Sequence, residues 1–433
     1  MNAIDNPAVV LTGNLGKPSG RSINESALAV TKSLGRQGIR VFRFHPDKSL
    51  VDLSSRYCTH VRCPNLYDDP SGLVQALLTF AIEQKTRPVL FSASDGASQF
   101  IADHEQTLKE HFLITSPSAA CIAKTQHKRE LIELARSMRF PVPKTFFPTE
   151  VSELPAIAAT LSYPVIVKPV YSPDWKRAEV VAALGKHKAL KITEARLLIE
   201  QCQILLALKN SFMIQEIVPG PDENLITFLG YFDRSGRVLA GAVRKKLRQF
   251  PPEFGYCCTT ESVDDPEVFD LAVKLMDGLG YAGIGCIEFK RDPRDGVPKL
   301  IEINTRAVRT SMLAIAAGVD FPLIAYRDSV NPGSVQPVLR GKVPVRWVHL
   351  RDEIWAAWSL LWHGQLSFFA WAGGFFGKPI VLAEFSLDDM WPGILLWSHI
   401  PTQLLKHLRK RRSDSGKERA PAPLQRLGNR VNR

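Results

Sequence analysis

The residues best suited to chemistry lie in the stretch KLIEINTR, which ends at Arg306. On a β-strand, Glu302 and Asn304 point to one face together with Leu300, while the two isoleucines of the stretch point to the other. A carboxylate and an amide on one strand face supply oxygen atoms of the kind that bind hard cations. The stretch is therefore a candidate metal site.

A second acid is predicted directly opposite Glu302. Apolar strands at 284–289 and 299–304 flank a loop that contains Asp-Gly, a combination typical of a β-hairpin. In a hairpin centred on residue 295, Glu288 lies across from Glu302, and like charges so placed are unfavourable unless a cation compensates. Two carboxylates and the neighbouring amide suit Mg²⁺. The alternative of a polar hairpin face without a ligand stays open on spacing alone.

The composition is that of a globular protein with more than one domain. The chain has 433 residues, too many for one ordinary core, and it is 45% hydrophobic and 23% charged. Its seven cysteines include no C-x-x-C pair, which favours reduced thiols in a cytoplasmic protein over disulfides or a zinc site. The first residues, MNAIDNPAVVLTG, do not predict a secretory signal.

The net charge of +12 is concentrated at the end of the chain. Residues 402–433 contain ten Lys or Arg and two acids, a net +8, which leaves +4 for residues 1–401. A nearly neutral body argues against a nucleic-acid-binding protein. The basic segment is typical of a solvated tail, or of a tail attracted to an anionic membrane surface.

The elements that would position the acidic hairpin begin with strands that alternate with helices. This alternation predicts a doubly wound parallel sheet in residues 1–120. The predicted segments are, in order, 8–13 (strand), 25–38 (helix), 40–44 (strand), 72–85 (helix), 88–94 (strand) and a helix after residue 95. The loop 13–21 is not a Walker A loop, because Pro18 follows Lys17 where Ser or Thr is required. It either faces a substrate or only connects two elements.

Residues 121–205 are predicted to contain two helices and a buried strand. The helices are expected at 124–140 and 151–162, and the strand at 163–169 carries Lys168 after its apolar run.

Residues 206–340 are predicted to be mainly strands and hairpins, with a helix near 266–279 before the acidic hairpin. Alternation along the strand AVRKKLRQ puts Arg244, Lys246 and Arg248 on one face. Three cations on one face are costly unless water or an anion compensates them.

Five motifs, in order, resemble the ATP-grasp superfamily, in particular its carboligase-type members related to carbamoyl-phosphate synthetase and D-aspartate ligase. They are KTQHKRELIELARSMRFPVPKTFF, YPVIVKP, MIQEIVPGPDEN, RKKLRQFPPEFG and GIGCIEFKRDPRDGVPKLIEINTR. Each motif is weak alone, whereas the order and separation of the five, within residues 85–330, are specific.

The resemblance implies an architecture of α/β and α+β parts. A doubly wound, Rossmann-like domain (1–120) would precede a two-lobed ATP-grasp fold, with the small lobe and its linking helix at 121–205 and the large lobe with the metal site at 206–340. A Trp-rich, mainly helical extension (341–401) and a basic tail expected to be disordered (402–433) would follow.

The resemblance also implies a site for ATP and Mg²⁺ (or Mn²⁺). The nucleotide would be held by Lys128 and Lys168 at the α- and β-phosphates, by Gln215, Glu216, Ile217 and Val218 at the adenine, and by Glu223 at the ribose. On the residues alone, Lys128 is more simply read as a surface helix residue, and Glu223 could be a loop acid. Lys168 could be the exposed end of a strand, but its place between Val167 and Pro169 after a buried strand favours a role in the site.

Metal binding and catalysis would fall to a second group of residues. Glu288, Glu302 and Asn304 would be the metal ligands. Lys246 would lie toward the phosphates or an acyl phosphate, and Arg306 would hold the transferred phosphoryl group or a carboxylate, because a guanidinium can grip an oxyanion with two hydrogen bonds.

The activity implied is that of an ATP-dependent carboxylate–amine (or thiol) ligase. A substrate carboxylate would form an acyl phosphate, and an amine, from an amino acid or a peptide-like molecule, would then displace phosphate to give an amide. Two features depart from the family: Thr305 replaces the usual proline, and the phosphate-covering loop 171–188, with Lys188, is not strongly Gly-rich. The alternative is an inactive nucleotide-binding protein that acts through partner or membrane contacts.

The region after residue 341 is unusual in composition. It holds seven of the eight tryptophans, and residues 354–377 contain no Asp, Glu, Lys or Arg over 24 positions. Polar and glycine residues interrupt this stretch, which argues against a membrane span. Helices packed on the body and attachment to a membrane surface both stay open, as does a homodimer.

Overall fold

The computed structural model of the chain describes residues 6–13, 22–46, 50–171, 174–175, 177–185, 187, 189–251, 255–341 and 343–398. Within these residues the strands form three sheets, with five, four and eight strands in the order of the chain. The α/β and α+β architecture predicted from the sequence is confirmed.

The five-stranded sheet is parallel and begins the chain, as predicted. Its spatial order is β3-β2-β1-β4-β5. The strands are β1 (Ala8–Leu11), β2 (Val41–Phe44), β3 (Thr59–Val61), β4 (Val89–Ser92) and β5 (Leu113–Ile114). The helices between them are α1 (Glu25–Gly35), α2 (Pro70–Glu83), α3 (Asp95–Asp103) and α4 (Glu105–His111). Val10 packs in a core with α1, while Val9 packs in another with α2 and α3, so both faces are covered.

The strand order reverses between β1 and β4, and doubly wound sheets bind ligands at such a point. Gly13, two residues after β1, donates its backbone N–H to Ser94 Oγ at 2.9 Å. The same hydroxyl accepts from Ala97 N and caps the start of α3. Residues 14–21 of the predicted loop lie outside the described residues.

The prediction of one helix over 124–140 is wrong. The chain forms α5 (Ala119–Gln126) and α6 (Lys128–Ser137), and they are separated at His127, whose backbone is extended. The His127 side chain accepts from Glu130 N and caps α6, which starts a new helix instead of continuing α5. Lys128 is therefore the first residue of α6.

The four-stranded sheet is antiparallel and has the order β6-β9-β7-β8. Its strands are β6 (Thr145–Phe146), β7 (Val165–Pro169), β8 (Leu190–Ile192) and β9 (Phe212–Glu216), and its helices are α7 (Leu154–Ala159), α8 (Ala178–Leu184) and α9 (Ala195–Ala207). Val165 and Val167 pack on these helices in one core. The predicted helix at 151–162 is shorter, with a 3₁₀ turn at Val151–Glu153 before α7.

The eight-stranded sheet carries the acidic hairpin. Its strands follow the order β14-β13-β10-β11-β12-β16-β17, and β15 pairs with β11. They are β10 (Leu225–Phe232), β11 (Val238–Phe250), β12 (Tyr256–Val263), β13 (Gly283–Arg291), β14 (Pro298–Asn304), β15 (Val338–Leu339), β16 (Arg346–Val348) and β17 (Ile380–Leu382). Its helices are α10 (Pro266–Gly278), α11 (Ser311–Ala316) and α12 (Phe321–Val330). The turn predicted at 233–236 joins β10 to β11, with Gly236 at φ +82°.

The region after residue 341 is mainly helical, as predicted, and also gives β16 and β17 to the large sheet. Its helices are α13 (Leu350–Trp362), α14 (Phe368–Gly373) and α15 (Trp391–Trp397). The region is tied back to the first domain at Asp388, which accepts from Arg36 Nε at 2.7 Å and from Tyr57 Oη at 2.8 Å.

Among the described residues, no helix is both long and apolar enough to cross a membrane. The predicted tail, 402–433, lies outside the described residues. The domain boundaries given above stay predictions.

Candidate active site

The predicted pair of acids is present in the hairpin of β13 and β14. Glu288 and Glu302 are direct cross-strand partners. A bulge in the next step of the ladder places Leu300, not Ile301, opposite Phe289. Leu300 is consequently fully buried in the core, so the prediction that it shares the face of Glu302 is wrong. The bulge lets β14 bury Leu300 and still expose Glu302 two residues later.

Asn304 and Arg306 extend the row of polar side chains from Glu302. Asn304 Nδ2 donates to Glu302 Oε1 at 3.2 Å, and Arg306 Nη2 donates to Asn304 Oδ1 at 3.3 Å. The three side chains therefore form one hydrogen-bonded chain along the end of β14. The intervening Thr305 is buried, and its carbonyl accepts from Ser98 Oγ of α3 at 3.3 Å.

The electrostatics of the pair favour a bound cation. The pKa of Glu302 is raised above its ordinary value, first because surrounding protein partly desolvates its carboxylate, although the side chain stays open to solvent, and then because Glu288 faces it. Lys168 and the hydrogen bond from Asn304 oppose this rise in the pKa. Two carboxylates and an amide form a set of oxygen donors that fits Mg²⁺, with places left for water and phosphate oxygens.

No group of three or more His, Cys, Asp or Glu in the described part of the chain is arranged to hold a metal ion. The candidate site has two such residues, which is what an ion needs if it takes its other ligands from a nucleotide.

Two buried cations of β11, Arg244 and Lys246, lie beside Glu288 and so share one face of the strand, as alternation predicts. Lys246 is 5% exposed, and its Nζ lies 3.8 Å from Glu288 Oε2. Arg244 Nη2 lies 4.0 Å from the same oxygen. Lys246 also donates to Gln249 Oε1 at 3.4 Å, so its ammonium group is held between a carboxylate and an amide.

Arg248 does not share this face, and that part of the prediction is wrong. The register of β11 against β12 shifts on both sides of Arg248, and such bulges re-aim side chains. Arg248 Nε donates instead to Glu353 of α13 at 2.6 Å. Gln249, which the sequence analysis missed, takes its place beside Lys246 and donates to Asp222 Oδ1 at 2.7 Å.

Lys128 and Lys168 come from two different elements, and both interact electrostatically with Glu302. The pKa of Lys168 is lowered, mainly by burial, and Glu302 and Glu288 oppose the change. The pKa of Lys128 is lowered by burial and then by Lys168, while Glu302 and Asp95 raise it. The charges of two lysines and three acids therefore influence one another in this region.

The predicted adenine hinge is the connection between two sheets. Gln215 and Glu216 end β9 of the four-stranded sheet, and β10 of the eight-stranded sheet begins nine residues after Glu216. Ile217 and Val218 follow the strand, with Val218 buried. Such a connection offers backbone groups that no sheet ladder uses, as recognition of an adenine edge requires.

The side chains of this hinge have partners in the structure. Gln215 Nε2 donates to Thr145 Oγ1 at 3.0 Å. Glu216 forms a 2.6 Å ion pair with Arg294 of the hairpin loop, a partner that the sequence analysis missed. Glu223 is exposed in a 3₁₀ turn that follows the hinge.

Asp95 is a further residue that the sequence analysis missed. It begins α3 at the carboxyl end of β4, and its two oxygens accept from Arg306 Nε at 2.7 Å and Nη2 at 3.1 Å. Its position directly after a buried parallel strand was the available signal.

The predicted covering loop is partly described. Residues 178–184 form α8, and Trp175 is buried against the core of the four-stranded sheet. Lys188 lies outside the described residues.

The chain is similar in sequence and in fold to several enzymes of known activity. No protein-family profile matches the chain. A D-aspartate ligase from Enterococcus faecium is 24% identical over 284 residues, which are 61% of this chain and 65% of the ligase, just under two thirds of its length.

Two solved structures share the fold. An L-amino acid ligase from Bacillus licheniformis has a TM-score of 0.54 and 15% identity over 77% of this chain and 78% of its own. The biotin carboxylase domain of a 2-oxoglutarate carboxylase from Hydrogenobacter thermophilus, solved with MgADP and bicarbonate, has a TM-score of 0.55 and 16% identity, over 77% of this chain and 71% of its own. These similarities in sequence and fold agree with the resemblance to the ATP-grasp superfamily that the motifs carry.

Proposed function

We propose that the protein is an ATP-dependent ligase that joins a small-molecule carboxylate to an amine (or a thiol) and releases ADP and phosphate. The observation that carries the proposal is the opposed pair Glu288 and Glu302, with Lys168 and Lys246 around it. Like charges on direct cross-strand partners are unfavourable unless cations compensate them, and Lys246 and Arg244 approach Glu288 only to 3.8 Å and 4.0 Å. A nucleoside triphosphate bound with Mg²⁺ (or Mn²⁺) would satisfy both groups. The metal ion would supply the cation between the acids, and the phosphates would supply the anion beside the lysines.

The residues of the site would act by placing and neutralising charge. Lys128 and Lys168 would hold the α- and β-phosphates, and the hinge from Gln215 to Val218, with Glu223, would hold the nucleoside. Lys246 and Arg306 would face the transferred phosphoryl group, where charge develops as the bond to the β-phosphate oxygen breaks. When bound, Mg²⁺ would neutralise phosphate charge and orient the β- and γ-phosphates.

The reaction would then proceed in two displacements. A carboxylate oxygen of the substrate attacks the γ-phosphorus, ADP leaves, and an acyl phosphate forms. The amine attacks the acyl carbon, loses a proton and expels inorganic phosphate, which leaves an amide. The covering loop 171–188 would keep water from the acyl phosphate.

Amino acids are the proposed substrates. The chain resembles a D-aspartate ligase in sequence and an L-amino acid ligase in fold, and both of these enzymes are named for amino acids. Homodimer formation and a cytoplasmic location stay predictions.

The test is ADP release over a panel of amino acids and short peptides, offered singly and in pairs. ADP and phosphate should appear in equal amounts with one pair, together with a new amide detected by mass spectrometry. Glu302→Gln should abolish release, whereas Glu83→Gln, on the exposed side of α2, should not. Tight binding of Mg²⁺–ATP without turnover on any pair would favour the inactive nucleotide-binding protein instead.

A further inference from the structure

Helix α13 carries a row of exposed tryptophans. Trp355, Trp358 and Trp362 are 43%, 62% and 77% exposed, and their spacing of three and four residues places them on one face of the helix. The rings of Trp358 and Trp362 are stacked with their centroids 6.3 Å apart. Soluble monomers rarely expose tryptophans together in this way.

The neighbouring helix adds phenylalanines to the same surface region. Phe368 and Phe369 at the start of α14 are 57% and 86% exposed, and Phe376 just after it is 76% exposed. Helix α14 is fixed to α13 because Trp371 Nε1 donates to Glu353 Oε1 at 3.0 Å. We call the six exposed side chains the aromatic patch: Trp355, Trp358, Trp362, Phe368, Phe369 and Phe376.

We propose that the aromatic patch docks on an anionic lipid bilayer. Tryptophan and phenylalanine rings partition into the interface of a bilayer, and the stretch 354–377 that holds the patch has no charged side chain to oppose this. The net charge of +8 in residues 402–433 complements anionic headgroups.

The patch could instead be covered by a second copy of the chain or by the basic segment 402–433, but the charge of that segment favours a bilayer. A second copy of the chain would add a second segment of charge +8 to the assembly and so increase its electrostatic self-repulsion. The basic segment itself cannot cover the patch at low cost, because its ten cations would have to leave water on an apolar surface.

The experiment is co-sedimentation of the full chain with vesicles of phosphatidylglycerol and phosphatidylcholine, and with vesicles of phosphatidylcholine alone. The chain should bind the anionic vesicles, with a blue shift of tryptophan fluorescence and weaker binding at high salt. A triple variant (Trp358→Ser, Trp362→Ser and Phe369→Ser) should bind about tenfold more weakly at an unchanged melting temperature. The control Ile82→Ser changes a side chain that is 70% exposed on α2, outside the patch, and should bind as the original chain does.

Changing Lys406, Arg409, Lys410, Arg411 and Arg412 to Gln should also weaken binding to the anionic vesicles. Absence of vesicle binding by the full chain would overturn the proposal, as would equal binding by the triple variant. A dimer that dissociates in the triple variant, in a chain that does not bind vesicles, would assign the patch to a second copy.

Discussion

Asp95 accepts hydrogen bonds from Arg306 with both carboxylate oxygens, and this pair joins the start of α3 to the end of the acidic hairpin. The remaining Nη1 group of Arg306 donates to its neighbour's carbonyl at Ala307, and Nη2 also reaches Asn304. The orientation of the guanidinium is thus set by a residue from the carboxyl end of the parallel sheet. Asp95 is a positioning residue for Arg306.

Asp95→Asn should lower kcat/KM for ATP-dependent ligation about tenfold, because an amide cannot hold the guanidinium with two charge-assisted bonds. The free energy of unfolding should change by less than about 1 kcal/mol, since the Asp95 side chain is 65% exposed. Steady-state kinetics and urea unfolding measure the two quantities.

Asp103→Asn, at the other end of α3, is the matched control and should leave kcat/KM unchanged. If Asp95→Asn and the unsubstituted chain have the same kcat/KM, the orientation of the Arg306 side chain does not depend on Asp95.

The pairing of the two acids could be predicted because both lie on one hairpin, where the pairing follows from counting residues. To predict that Glu288 lies opposite Glu302, only the position of the turn was needed. Arg248 could not be predicted, because the bulges in β11 depend on how the strand pairs with β12 and on the buried Glu353 more than a hundred residues away. Asp95 was missed for the same reason: its contact with Arg306 spans 211 positions.

Glu302→Gln should abolish ATP turnover and stabilise the metal-free protein. Loss of a ligand carboxylate should reduce turnover roughly a hundredfold or more, and removal of a charge that faces Glu288 should raise the free energy of unfolding by about 0.5 kcal/mol at neutral pH. Because the folded pKa of Glu302 is raised, this gain should be present at neutral pH and should disappear below the ordinary pKa of 4.5. Urea unfolding without Mg²⁺ at several pH values measures it.

With Mg²⁺ and ATP present, the unsubstituted chain should be more stable than Glu302→Gln, because it binds these ligands more tightly and binding stabilises the folded state. Full Mg²⁺-dependent turnover by Glu302→Gln would falsify the metal assignment.

The kcat/KM for ATP should begin to fall at a lower alkaline pH than it would if the lysines of the site had the ordinary pKa of 10.5. The pKa values of Lys128 and Lys168 are lowered, chiefly by burial, so each loses its positive charge below the ordinary value of 10.5. The kcat/KM for ATP should therefore decline as pH rises toward these lowered values. Lys168→Met should lower kcat/KM at neutral pH and flatten this decline, whereas Lys124→Met, on the exposed side of α5, should preserve it.

Arg248 and Glu353 form a buried ion pair. Removing only one partner should lower the free energy of unfolding, because the other charge is then buried without a counterion. Glu353 is fully buried, and it accepts from Arg248, Thr259 and Trp371. Arg248→Met leaves the carboxylate without its cation and should lower the free energy of unfolding by about 3 kcal/mol. The double variant Arg248→Met, Glu353→Leu removes both charges and should be the more stable of the two, because no buried charge then remains. Urea unfolding of both variants measures the difference, and a double variant less stable than Arg248→Met would mean that the carboxylate is held mainly by its neutral donors.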